Sequence, residues 1–146
     1  MPESKSAQLD NCTKTNTPRF SLAGLKTTAK VVSIYDGDTI TAAFDTCGLG
    51  FFLHNIRILD IDSPEIKAKT QQEKTAAKES RDYLRSLIDG QLVDLQITMS
   101  DKYGRLLAHV KRKSDGLDIS RAMLDSKHAV AYDGGARKQY VPNDDE

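Results

Sequence analysis

KVVSIYDGDTITAAF, residues 30–44, is the stretch on which the fold turns. Two runs rich in Val, Ile and Thr, Lys30–Tyr35 and Thr39–Phe44, flank Asp36-Gly37-Asp38. β-Branched side chains suit a pleated, half-buried surface, and Asp-Gly between two such runs is a strong hairpin signal. Working outward, Phe51–Ile61 (FFLHNIRILDI) predicts a third strand, joined through the Gly-containing turn Asp45–Gly50. Leu92–Met99 predicts a fourth strand and Leu106–Lys111 a fifth. Between these last two lies Asp101-Lys102-Tyr103-Gly104, with Asp first and Gly fourth in the manner of a type I turn.

Two helices fit around these strands. Ala76, Ser80, Tyr83, Leu84, Leu87 and Ile88 recur at helical spacing, so about Thr70 to Leu87 is an amphipathic helix ending before Gly90. Asp118 is an N-cap for a shorter helix carrying Ile119, Ala122 and Met123. The order of three strands, helix, two strands and helix predicts an α+β fold. It is a five-stranded OB-type β-barrel, its strands antiparallel, with two or three packed helices.

The ends differ from this body. Residues 1–25, rich in Ser, Thr, Asn, Lys and Pro, read as a disordered or loosely attached extension. Residues 26–140 form the domain and 141–146 an acidic tail. A length of 146 residues is one domain. Lys plus Arg is 21 against 21 Asp plus Glu, which excludes a protein that binds nucleic acid through bulk positive charge. Local charge can still act in a compact site. No apolar stretch approaches the ~18 residues that span a bilayer. The start lacks a basic region followed by an apolar run, so a location inside a cell is expected, with no membrane partner. Two cysteines, Cys12 and Cys47, read as free thiols, and His54, His109 and His128 show no zinc spacing.

Three segments concentrate carboxylates and arginines. In Asp36-Gly37-Asp38-Thr39 the turn explains Asp36 and Gly37 but gives Asp38 no task. In Arg57–Glu65 (RILDIDSPE), Ser63-Pro64-Glu65 could simply start a turn or helix. Arg57, however, lies between Ile56 and Ile58 in a strand and must reach solvent, an ion pair or an anion. Asp60, Asp62 and Glu65 follow closely, and a divalent cation would relieve their repulsion. Asp101–Arg105 (DKYGR) is complete as a turn, yet it delivers Arg105, a residue type suited to bidentate phosphate contact.

Together, YDGDT (Tyr35–Thr39), RILDIDSPE (Arg57–Glu65) and DKYGR (Asp101–Arg105) resemble the motifs of the staphylococcal (micrococcal) nuclease or thermonuclease family, in the family's order. Weaker agreement continues through Asp118–Met123 and AVAYDGG (Ala129–Gly135). The resemblance implies a calcium-dependent endonuclease that cuts DNA and RNA with little sequence specificity and leaves 3′-phosphate ends. It implies one calcium ion held by Asp38, Asp62 and the Ser63 carbonyl, with Asp36 in the outer shell. Glu65 would be the general base, and Arg57 and Arg105 the guanidiniums on the scissile phosphate. Lys102, Tyr103 and Tyr132 would contact the nucleic-acid substrate, and the protein would act as a monomer. Two departures stand out. Ser63 replaces the family's usual Thr, and the long C-terminal helix of bacterial members has no counterpart in the eleven residues after Gly135.

Two other readings compete. Related domains that lose the acids and arginines serve as nucleic-acid or protein binding modules, but this chain retains Asp38, Arg57, Asp62, Glu65 and Arg105 together. A plain OB-type single-strand binder needs stacking aromatics and a basic groove. With no Trp and 6% aromatics, this chain is poorly equipped for that role.

Overall fold

The computed structural model describes residues 4–65 and 69–132. The elements run α1 (Lys5–Asp10), β1 (Lys26–Asp36), β2 (Thr39–Asp45), β3 (Phe51–Ile58), β4 (Ile61–Asp62), α2 (Gln71–Ile88), β5 (Leu92–Ser100), β6 (Leu106–Arg112), α3 (Ile119–Asp125) and β7 (Val130–Ala131). The tail at 141–146 and residues 133–135 of the AVAYDGG stretch lie outside the described residues.

Five strands close into a barrel in the order β1-β2-β3-β6-β5, as the α+β OB-type reading predicts. One detail corrects that reading: β3 and β6 pair in parallel, Ile56 with Leu106 and Ile58 with Ala108, so the barrel is mixed and not wholly antiparallel. A parallel pair needs a long crossover, and the chain between them, through α2 and β5, supplies one. Alternation sorts the side chains. Val93, Leu95 and Ile97 of β5 and Leu106, Ala108 and Val110 of β6 point into the core, meeting Val31, Ile40, Phe44 and Ile56.

β1 starts at Lys26, earlier than the apolar pattern suggests, because Lys26–Lys30 pair with Gln96–Leu92 of β5. β3 stops at Ile58 instead of running to Ile61. Asp60 turns the chain through a positive φ of 73°, a conformation that Asp tolerates better than most residues. Ile61-Asp62 then form β4, paired with Val130-Ala131 of β7. That break is what brings Asp62 and Ser63 back toward the β1–β2 turn.

α2 begins with a capping box. The Thr70 side chain accepts from the Glu73 amide while Glu73 reaches back to Thr70. Its buried face is Ala76, Ala77, Ser80, Leu84 and Ile88. The small residues matter at one point, where a Cβ built on Gly37 would lie 2.0 Å from Ser80 Oγ and 2.8 Å from Ser63 Cβ. Gly37 is therefore required for space; its φ is not positive, and it is the pair Gly37-Asp38, with Asp36 facing Thr39, that forms the turn. Within the N-terminal stretch, α1 buries none of its residues, whereas Leu22 and Leu25 pack against the core. Cys12 and Cys47 are free and exposed.

Candidate active site

One mouth of the barrel gathers the β1–β2 turn, the end of β3, β4 and the β5–β6 turn. Asp36, Asp38, Arg57, Asp62 and Ser63 are all buried there. Arg57 leaves β3 and is aimed by main-chain carbonyls: its Nη1 donates to Ile61 O at 2.8 Å and Ile58 O at 3.1 Å. Thus held, the guanidinium meets Asp38 Oδ2 and Asp62 Oδ1 at 3.4 Å each. These contacts are longer than the ~2.7–2.9 Å of a tight charge-assisted bond, so the carbonyls and not the carboxylates fix its direction. The Tyr132 ring lies 5.3 Å from Arg57 Cζ, and the Tyr132 amide is tied to Asp60 O at 3.0 Å.

Asp38 is the hub. Its Oδ2 accepts from the Ser63 amide at 3.0 Å and its Oδ1 from Thr39 Oγ1 at 2.9 Å, while its own amide donates to Asp36 Oδ1 at 3.1 Å. Burial alone would raise its pKa, but the charge of Arg57 and hydrogen bonding with Asp36, Ser63 and Thr39 hold it below the ordinary value. The carboxylate is therefore kept ionised inside the protein.

Arg105 joins this group through Thr39, whose Oγ1 accepts from Arg105 Nη1 at 3.4 Å. Its aim is set by Asp101, which the sequence offers only as the first residue of a turn. Asp101 Oδ1 accepts the amides of Tyr103 and Arg105, each at 2.9 Å, and Oδ2 accepts Arg105 Nε at 2.7 Å. Burial would raise the Asp101 pKa, but these bonds and the Arg105 charge lower it. A positive φ of 85° at Gly104 lets the chain fold back so that one carboxylate both closes the turn and grips the arginine.

The structure thus brings Asp36, Asp38, Arg57, Asp62, Ser63, Arg105 and Tyr132 together. Glu65 is on the same segment as Ser63 but exposed. Lys102 and Tyr103 are exposed on the β5–β6 turn, with Lys102 Nζ 5.3 Å and Arg105 Cζ 5.8 Å from the Tyr103 ring. A cleft of about 500 Å³ runs past Arg57, Asp60, Met99, Lys102, Tyr103, Arg105, Leu107 and Tyr132. Thr39, Asp101, Gly37 and Ser80 escaped the sequence reading of the site. Thr39 and Asp101 stood inside the motifs, and the signal they carried was a polar side chain beside a charged one.

Among the described residues no three His, Cys, Asp or Glu side chains form a metal-ligand group. The buried acidic donors gathered at this mouth are all oxygen: the carboxylates of Asp36, Asp38 and Asp62. Such a set fits a hard divalent cation such as calcium or magnesium and is unsuited to zinc.

Fold and site together are a closed five-stranded OB-type barrel with an acid–arginine cluster at one mouth. The chain belongs to the family of staphylococcal nuclease homologues, whose model matches residues 55–145. Among its relatives, the thermonuclease of Staphylococcus hyicus is 31% identical over 131 residues, covering 85% of this chain and 69% of that protein. An uncharacterized endonuclease of Escherichia coli O157:H7 is 30% identical over 104 residues, 71% of this chain and 60% of that one. A probable endonuclease LCL3 of Candida dubliniensis is 29% identical over 92 residues, 62% of this chain and 39% of that one. The chain therefore spans less than two thirds of the length of the last two.

Proposed function

We propose that this protein is a calcium-dependent endonuclease that hydrolyses phosphodiester bonds in DNA and RNA with little sequence specificity, leaving 3′-phosphate ends. The observation that carries the reading is the contact chain Asp101–Arg105–Thr39–Asp38–Arg57–Asp62, which sets two guanidiniums and two buried carboxylates at one barrel mouth. Nuclease relatives that match over most of this chain support it.

Asp38, Asp62 and the Ser63 carbonyl would hold the cation, with Asp36 behind Asp38. Calcium bound there would supply Lewis-acid polarisation of a phosphate oxygen. Arg57 and Arg105 face the charge that grows on the phosphate oxygens as water attacks, and a preorganised donor of this kind is worth about 3–4 kcal/mol of barrier. Because Arg57 is fixed by carbonyls, it needs no reorganisation when the phosphate arrives. Glu65, exposed to water, is the base that takes the proton of the attacking water. The new P–O bond forms as the bond to the 5′-oxygen breaks, and that oxygen leaves as a hydroxyl after gaining a proton. Lys102, Tyr103 and Tyr132 line the nucleotide side of the cleft.

The test is digestion of plasmid, single-stranded DNA and RNA with calcium and then with chelator. Cleavage that vanishes on chelation, and ends that a polymerase extends only after phosphatase treatment, are expected. Cleavage that persists in chelator sinks the metal-dependent mechanism, and no cleavage with calcium, magnesium or manganese sinks the enzyme reading in favour of a binding module.

A further inference from the structure

Arg105 belongs to two grooves at once. On one side is the cleft shared with Arg57, Tyr103 and Tyr132; on the other is a separate groove of about 440 Å³, walled by Ser33, Tyr35, Thr41 and Asn55, with Asp36 and Thr39 at its floor. We propose that this second groove holds the nucleoside on the far side of the phosphate from the Tyr103–Tyr132 cleft, with Tyr35 as its stacking platform. The inference rests on the nucleic-acid reading of the site and extends it to a residue that the proposed chemistry does not use.

Three observations carry it. First, Tyr35 is 54% exposed, and it sits at a register shift in β1 between Ile34 and Asp36. A bulge re-aims the side chain at that point, and here it turns an aromatic ring outward directly before the buried acids. Second, Ser33, Thr41 and Asn55 form one cross-strand row over β1, β2 and β3. Thr41 Oγ1 donates to Asn55 Oδ1 at 3.0 Å, so the amide oxygen is engaged and its nitrogen is the group left to donate. The row is small and polar, suited to a sugar or a base edge and not to an apolar partner. Third, the volume is within the ~300–1,000 Å³ range of small-ligand sites. A strand whose phosphate sits at Arg105 has to pass on in both directions, and this groove is where the second direction leads.

The geometry makes Tyr35 a specificity element for substrate length. A ring that stacks on any base adds affinity without sequence preference, and loss of one such platform typically weakens binding about tenfold or more. Tyr35 acts by stacking and not through the carboxylates or guanidiniums, so its effect should appear only when a nucleoside occupies the second groove.

Two measurements test this on the full chain. The first is equilibrium binding of a fluorescein-labelled thymidine trinucleotide by anisotropy, with calcium omitted so that no cleavage is needed. Tyr35→Ala is expected to weaken binding about tenfold and Tyr35→Phe to restore it. The second is kcat/KM on the dinucleotide TpT relative to the methyl ester of thymidine monophosphate that the wild type cleaves faster. That ratio should fall about tenfold in Tyr35→Ala and return in Tyr35→Phe. An unchanged ratio and unchanged binding in Tyr35→Ala, or failure of Tyr35→Phe to restore either, overturns the second groove even if the wild type cleaves both diesters. If the wild type binds the trinucleotide through Tyr35 but cleaves nothing with any divalent ion, the groove stands and the nuclease reading falls.

Discussion

The β2–β3 hairpin has two ends with inverted chemistry. At the end near Asp38, strand β3 buries Ile56, Arg57 and Ile58, a full charge among its occupants. At the other end, Leu49, Phe51 and Leu53 are 78%, 83% and 66% exposed. Residues of the same strand, three positions apart, thus follow opposite rules. The difference lies in what stands beside them. β6 pairs with β3 only at Ile56–Ile58, so the barrel closes over that end and leaves Phe51–Asn55 with β2 alone as a neighbour among the described strands. Burial is set by closure and not by hydrophobicity, and the closed end is where a charge becomes worth positioning.

The sharpest way to break this contrast is Arg57→Ala. Turnover should drop by two to three orders of magnitude, the effect of one preorganised donor, and the loss of a guanidinium between two buried carboxylates should destabilise the fold by about 3–5 kcal/mol. Steady-state cleavage and urea denaturation read the two effects separately; activity within a few fold of wild type would show that Arg57 is merely structural. Next comes a pair within one strand. Ile56→Ala should cost about 2–5 kcal/mol, whereas Leu53→Ala should stay within about 0.5 kcal/mol. Equal losses would mean that the open end is covered in solution.

Gly37→Ala should cost about 1–3 kcal/mol, because the new methyl meets Ser80 Oγ. Ser80→Ala also removes a hydrogen bond to His128 O at 2.8 Å, so alone it is destabilising too. Combined, the two changes should cost less than their sum, since the second removes the atom that the first strikes. Additive losses would place the strain elsewhere. The smallest effect concerns acid. Asp101 has a pKa held below its ordinary 3.8, so its contribution is complete above that pH and fades as pH falls further. Denaturation midpoints of wild type and Asp101→Asn should therefore differ near neutrality and converge below about pH 3.8. At neutral pH the same variant should also lower turnover, through a less firmly aimed Arg105. A stability gap that stays constant into strong acid would show that ionised Asp101 does not hold the turn.

Much of this was legible beforehand where the cause is local. Strand runs on either side of Asp36-Gly37-Asp38, the 3.6-residue spacing of Ala76 to Ile88 and the Asp118 cap are consequences of side-chain shape and short-range hydrogen bonding. The candidate residues were legible too, because an arginine between two isoleucines and closely spaced acids demand an explanation on chemical grounds alone. The sequence placed Gly37 in the turn, and the structure adds that Ser80 and Ser63, from across the molecule, leave no room there for a side chain.

Only the tertiary structure decided how these parts meet. That β3 ends at Ile58 follows from Asp60 turning with positive φ and from β7, seventy residues on, arriving to pair with Ile61-Asp62. That β6 runs parallel to β3 follows from the crossover between them, and that pairing is what encloses Arg57. Thr39 as a link between Asp38 and Arg105, and Asp101 as the clamp on Arg105, depend on side-chain distances that no local pattern encodes. Backbone preference is a property of neighbours in sequence, whereas the burial of a charge and the direction of a guanidinium depend on every segment that closes around it.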